Sequence, residues 1–331
     1  MADLGLIETG NTLTTPDLWI TRRGAPPACW GVVMAVHQTS DLRRLGIGPT
    51  QLRRMVRDNE LERLRRGAYV DPEVLDQAAR HLRLIEATIP QLSGDVILSH
   101  ASAGVIHGLP VPEALLGQVW VTGRSKGGGH SRPALHELKA ALRPGDVIGL
   151  GSLRVTSLAR TVVDLGRRQR FDDTVVAADA ALHAGLDPSA LAEQLDAWPR
   201  RRGIGLARKA LAMADGRSES PGETRSRVLM WRLGLPAPTL QYGVQTAGGL
   251  FRSDFAWEDR RLLGEFDGRV KYGELLRPGE RAEDVVMREK HRETLLRSEG
   301  WWVVRWVMAD LHDPVGFRRI IETGFANALR S

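Results

Sequence analysis

Between Arg252 and Gly268 the chain alternates polar and apolar residues, breaks at a run of charge, and alternates again. Arg252-Ser-Asp254-Phe-Ala-Trp257 reads as a strand, Glu258-Asp-Arg-Arg261 as the turn, and Leu262-Leu-Gly-Glu265-Phe-Asp267 as the return strand, stopped by Gly268. With the turn centred between Asp259 and Arg260, Trp257 pairs with Leu262 and Asp254 with Glu265. Opposed residues share one sheet face, their Cβ atoms about 5 Å apart. Phe255, Gly264 and Phe266 fall on the other face, where a core can cover them. Two carboxylates held face to face repel, and a hard cation with oxygen ligands reverses the sign. Asp254 and Glu265 are therefore the expected ligands of Mg²⁺ or Mn²⁺, and Asp267, on the same face as Glu265, adds a third acid. The plainer alternative is a pair of solvent-facing acids on an edge strand, matched by Arg252 or Arg269.

The 331 residues are enough for two or three domains. The lone cysteine, Cys29, excludes an internal disulfide and a cysteine-based zinc site, which fits a reducing cytoplasm. No apolar run is long enough to span a bilayer, and the first residues lack the pattern of a signal peptide, so no membrane partner is expected. Lys and Arg outnumber Asp and Glu by 46 to 40, a formal charge of +6 carried mostly by arginine. Such a balance favours polyanions, nucleic acid first, and double-stranded DNA is the expected partner. Arginine enrichment from a GC-rich genome accounts for the same numbers without a polyanion.

Residues 1–36, with Pro26-Pro27, are weakly patterned and read as an N-terminal arm. Residues 37–92 read as helix, turn, helix and β-ribbon: Leu42, Leu45, Leu52, Met55 and Val56 recur at helical spacing around Gly46-Ile-Gly-Pro49, and a ribbon follows with its turn at Arg66-Gly67. Residues 93–216 mix short strands with helices. Residues 217–331 read as α-β-β-α-β-α, opened by Ser220-Pro-Gly-Glu223. The expected fold class is α+β or α/β, multidomain: an N-terminal winged helix-turn-helix, a mixed middle domain and a C-terminal α-β-β-α-β-α domain with a small mixed sheet flanked by helices.

The second helix of the 37–92 segment carries Gln51, Arg53, Arg54 and Arg57, and the ribbon carries Arg63, Arg65 and Arg66. A helix so equipped enters a major groove, its arginines reading guanine edges or gripping phosphates. A solvated basic face on a small helical domain gives the same pattern, and Asp58, Glu60 and Glu62 dilute it. Glu223, three residues after Ser220, reads on its own as the acid of a capping box. Lysines are scarce here, so Lys271 and Lys290 are the expected partners of a metal-bound water; for Lys290 the alternative is an exposed helix position among charge pairs. His100 and His107 lack a third ligand in register and read as structural. Gly123-Arg-Ser-Lys-Gly-Gly-Gly-His130 lacks the Gly-Lys-Ser/Thr ending of a phosphate loop.

Two resemblances arise from these residues. Ser40–Val70 resembles the N-terminal winged helix of AbiEi-type antitoxins, the transcription-repressing partners in type IV toxin–antitoxin systems. Ser99-His-Ala-Ser-Ala and Val155-Thr-Ser-Leu-Ala-Arg-Thr-Val-Val-Asp164 are similar to the segment that follows in such proteins. The last unit resembles the very-short-patch-repair endonucleases of the PD-(D/E)xK group, through Glu223, Asp254-Phe, Glu265-Phe-Asp267-Gly268, Arg288-Glu-Lys-His-Arg292 and Gly300-Trp-x-Val-Val-Arg305. That resemblance implies a restriction-endonuclease-like C-terminal domain in which Asp254 and Glu265 hold Mg²⁺, Glu223 assists, and a metal-bound water attacks a phosphodiester. The chain departs from the motif where Asp267 replaces its lysine, a role left to Lys271 or Lys290. The expected function is a cytoplasmic DNA-binding protein with a metal-dependent endonuclease domain. The alternative is a non-catalytic antitoxin-like regulator with a cognate toxin as second partner; cleavage of structured RNA is a third.

Overall fold

The computed structural model describes residues 36–92, 96–123, 131–268 and 282–329. Residues 1–35 of the expected N-terminal arm, residues 124–130, Arg269 and Lys271 lie outside the described residues. The chain divides into two compact units between Leu165 and Gly166.

The first unit begins with β1 (His37–Gln38), α1 (Thr39–Arg44), α2 (Pro49–Arg57), β2 (Glu62–Arg65) and β3 (Ala68–Val70). Gly46, with φ +83°, turns the chain after α1 as only glycine does without strain, and Gly48 with Pro49 starts α2. Leu42, Leu52 and Leu61 are buried together, with Ile47, Met55, Val56 and Tyr69 against them. The strands form an antiparallel sheet in the order β1-β3-β2, the β2–β3 turn closing at Gly67 (φ +86°). α3 (Gln77–Thr88) follows, capped by Asp76, whose carboxylate accepts the Ala79 N–H at 2.7 Å.

The remainder of this unit comprises β4 (Ile97–Leu98), α4 (His100–Ile106), β5 (Val119–Gly123), β6 (Ser131–Arg132), β7 (Leu135–Lys139), β8 (Val147–Leu150) and β9 (Leu153–Thr156), with α5 (Leu158–Gly166) leading to the division. The strands join in one mixed sheet, β6-β7-β5-β4-β9-β8. Its core holds Leu84, Ile85, Leu98, Val119, Val121 and Val155. Both sequence-singled histidines are structural: buried His100 stacks on Trp120 at 5.7 Å, and His107 donates from Nε2 to the Thr156 carbonyl at 2.8 Å.

The second unit opens with α6 (Phe171–His183), α7 (Pro188–Asp196), α8 (Ile204–Leu211) and α9 (Pro221–Arg232). Then come β10 (Thr239–Thr246), β11 (Gly249–Trp257), β12 (Leu262–Asp267), α10 (Ala282–Ser298), β13 (Trp302–Val307) and α11 (Pro314–Ala328). The sheet runs β10-β11-β12-β13, antiparallel except for the β12–β13 pair, which α10 connects in parallel. A strand absent from the sequence reading, β10, makes the order α-β-β-β-α-β-α from α9 onward. Leu240, Phe255, Trp257, Leu262, Trp306, Phe317 and Ile321 fill one side of the sheet; Val244, Ala256, Leu263, Leu296 and Trp301 fill the other. Among the described residues no helix is long and apolar enough to cross a membrane.

Candidate functional site

Two surfaces collect the residues singled out by sequence. The first is α2 with the β2–β3 ribbon. At about 100° per residue, Leu52, Met55 and Val56 share one side of α2 while Thr50, Arg53, Arg54 and Arg57 share the other, with Gln51 at its border. The inner side is anchored by buried Leu52, and Gln51, Arg53, Arg54 and Arg57 are all exposed. Arg53 Nη2 donates to Thr50 Oγ1 at 3.2 Å, holding its guanidinium along the outer face. Asp58 accepts from Arg54 Nε at 3.3 Å and from Arg57 Nε at 2.9 Å. The hydrogen bond from Arg57 keeps the Asp58 carboxyl below its usual range, and Arg57 is held above its own. These exposed ion pairs are weak in water and yield to a stronger anion such as a phosphate.

The ribbon divides its arginines between two tasks. Arg63 and Arg66 are exposed. Arg65 turns inward: Nη1 donates to the Arg66 carbonyl at 2.7 Å, and Nη2 donates to the Ala87 carbonyl at the end of α3 and, at 3.4 Å, to Gln38 Oε1. Burial pushes its guanidinium below the ordinary arginine value. Arg65 thus ties the ribbon to α3 and β1, and does not extend the exposed basic face.

The second surface is the carboxylate group of the second unit. The hairpin forms in the expected register, with Trp257 opposite Leu262 and Phe255 opposite Gly264. Phe255 is fully buried and Phe266 packs on the same core, as the alternation implies. Asp254 Oδ2 accepts the backbone N–H of Phe266 at 2.9 Å, a bond from side chain to neighbouring strand just beyond the ladder. Burial raises the Asp254 pKa from 3.8 to about 6 against that hydrogen bond, with the charges of Glu223, Glu265 and Glu219 adding to the rise.

Glu223 reaches this group because α9 approaches β12 closely. A Cβ on Gly222 would lie 1.9 Å from Phe266 Cε1, so only glycine admits the approach. Asp179 on α6 fixes α9 from the other side, accepting from Thr224 Oγ1 at 2.8 Å and Arg227 Nη2 at 2.6 Å. Ser220 caps the helix by accepting the Glu223 N–H at 3.2 Å, and Glu223 Oε2 accepts the Glu219 N–H at 2.9 Å. The capping role is therefore present. A further bond exceeds it: Gln241 Nε2 donates to Glu223 Oε2 at 2.9 Å, although Glu223 is only 7% exposed. Gln241 interrupts β10 with φ +52°, between the pairs Leu240–Phe255 and Tyr242–Ser253.

Glu265 is engaged at both oxygens. Oε1 accepts from Arg292 Nη2 at 2.7 Å and Oε2 from Arg305 Nε at 2.9 Å. Arg305 also donates to Glu293 at 2.8 Å; burial lowers its pKa, but the bonds to Glu293 and Glu265 leave it raised. Lys290 is exposed on α10, about 200° around the helix from Arg292. Arg292 is a cation that α10 brings to Glu265, and sequence reasoning missed it. Asp267 is exposed at the end of β12. Among the described residues no group of three His, Cys, Asp or Glu side chains is arranged to hold a metal ion. Carboxylate oxygens suit Mg²⁺ or Mn²⁺, but in this arrangement both Glu265 oxygens are taken by guanidinium groups, which a cation at Glu265 would have to displace.

Comparison with known proteins bears on the first surface. Residues 38–70 match the family model described as "Transcriptional regulator, AbiEi antitoxin", the segment from β1 through the ribbon. Two uncharacterized proteins of Mycobacterium tuberculosis, one from strain CDC 1551 / Oshkosh and one from strain ATCC 25618 / H37Rv, are each 36% identical to the chain over 163 residues. The match covers 49% of this chain and 57% of each relative.

Proposed function

We propose that the chain is a cytoplasmic DNA-binding transcriptional regulator of antitoxin type, whose residues 37–92 act as a winged helix-turn-helix. α2 enters the major groove of duplex DNA, with Arg53, Arg54 and Arg57 facing bases and phosphates and Gln51 beside them. The ribbon lies on the adjoining backbone through Arg63 and Arg66. The observation that carries this reading is the two-sided character of α2: an apolar side fixed by Leu52 and an outer side of exposed arginines, within the segment that matches the antitoxin family model. Bidentate arginine–guanine contacts are each worth about 1–3 kcal/mol of base discrimination. A cognate toxin is the protein partner that the family match suggests. Footprinting on the chain's own promoter tests the reading: protection is expected from the wild type and lost in Arg53→Ala/Arg54→Ala.

A second reading, that residues 217–331 form a PD-(D/E)xK nuclease-like domain that cuts DNA with Mg²⁺ or Mn²⁺, is favoured by one observation. Asp254 is half-buried beside Glu223, Glu265 and Glu219, a concentration of negative charge that a cation would relieve. It requires Arg292 and Arg305 to release Glu265. Lys290, exposed on the far side of α10, supplies no charge to the acids in this arrangement. Nicking of plasmid DNA in Mg²⁺ or Mn²⁺, abolished by Asp254→Ala, supports this reading; equal nicking by wild type and variant removes it.

A further inference from the structure

Two arginine-rich segments far apart in sequence meet in the second unit. One is Arg167-Arg-Gln-Arg170, before α6; the other is Arg200-Arg-Arg202, before α8. Arg167 Nε donates to the Arg202 carbonyl at 3.1 Å, pinning one to the other. The contact between backbones is equally tight. Gly203 has φ +82°, and a Cβ there would lie 2.1 Å from the Arg167 carbonyl oxygen, so the turn closes only on glycine.

This join gathers positive charge without local compensation. Arg168, Arg170, Arg200, Arg201 and Arg202 are all exposed, and none forms an ion pair among the described residues. Acids nearby in sequence are engaged with other arginines: Asp164 with Arg160 at 2.7 Å, Asp172 with Arg232, Asp173 with Arg225 at 2.8 Å, and Asp196 with Arg208 at 3.1 Å. Arg201 lies over the Trp198 ring at 5.0 Å, which orders its guanidinium without neutralising it. Arginine stays charged at any physiological pH, so the repulsion within this cluster is permanent. Exposed arginines on both segments of this join gain a partner when an extended polyanion lies across it.

We propose that the 167–170 and 200–203 segments form a second DNA-contacting surface, which grips the phosphate backbone of duplex DNA without reading its sequence. The choice of duplex DNA rests on the role proposed above for α2.

The full chain is titrated against a labelled duplex bearing its own promoter and an unrelated duplex of equal length, over a range of salt. Each lost phosphate contact reduces the log K against log[salt] slope by about 0.9. Arg200→Ala/Arg201→Ala/Arg202→Ala and, separately, Arg168→Gln/Arg170→Gln are expected to flatten the slope on both duplexes equally, leaving their affinity ratio unchanged. Arg200→Lys/Arg201→Lys/Arg202→Lys keeps the charge and is expected to keep the slope; should the alanine variant fail to fold, this variant and the glutamine variant decide. Wild-type slopes in the glutamine and alanine variants, loss of slope in the lysine variant, or tighter binding of structured RNA than of duplex DNA overturns the proposal. Failure of the α2 reading looks different: Arg53→Ala/Arg54→Ala then leaves the ratio between duplexes untouched while the cluster variants still flatten the slope.

Discussion

Gln241 donates its side-chain amide to buried Glu223 across 2.9 Å from a backbone held at φ +52° in the middle of β10. The left-handed region costs an L-residue about 1–2 kcal/mol, and glycine escapes that cost. Gln241→Ala loses the hydrogen bond and keeps the strain. Gln241→Gly loses the bond and sheds the strain. The glycine variant is therefore expected to be about 1 kcal/mol more stable than the alanine variant in urea unfolding. Equal stabilities would show that the strained backbone stores nothing.

Asp254 carries a pH signature of unusual direction. Its pKa rises from 3.8 to about 6 on folding, because burial and nearby acids disfavour the carboxylate. The folded state binds more protons than the unfolded state between those values, so this group costs stability as pH rises through the window. The full cost is present above about pH 6 and reaches roughly 3 kcal/mol as an upper figure. Asp254→Asn keeps an oxygen for the Phe266 N–H and removes the charge. It is expected to stabilise the protein at pH 8 and to have little effect at pH 4, as read by denaturant midpoints. A stabilisation independent of pH contradicts the assignment.

The ribbon arginines separate by experiment. Arg65 ties the ribbon to the end of α3, whereas Arg63 and Arg66 face solvent. Arg65→Ala removes hydrogen bonds from a charged donor, worth about 1.5–3 kcal/mol of stability. Arg63→Ala and Arg66→Ala are expected to leave the melting temperature near wild type and to weaken DNA binding evenly across sequences. A thermal melt beside a binding titration distinguishes the two classes. Equal stability losses in all three would remove the division.

Much of this was legible in the sequence where local chemistry decides it. The charged run Glu258–Arg261 between alternating segments set the hairpin register, and Pro49 marked the first turn of α2. β10 carries the strand period, with Leu240, Tyr242 and Val244 alternating with Gln241, Gly243 and Gln245, and the sequence reading passed over it. The partners of Glu265 were hidden for a different reason. Arg292 and Arg305 lie 27 and 40 residues further along the chain, and only the packing of α10 and β13 brings them to it. Arg65 sits in the same basic run as its neighbours, and nothing in that run distinguishes the arginine that turns inward. The closeness of Gly222 to Phe266 leaves no trace either, because Gly222 reads simply as part of the helix start.

The most direct test of the DNA-binding account is a footprint on the chain's own promoter, with EDTA present, comparing wild type, Asp254→Ala and Arg53→Ala/Arg54→Ala. Protection is expected from the wild type and from Asp254→Ala, and is expected to vanish in the double arginine variant while its melting temperature stays near wild type. Protection that survives loss of both arginines, or that requires a divalent cation and Asp254, would contradict it.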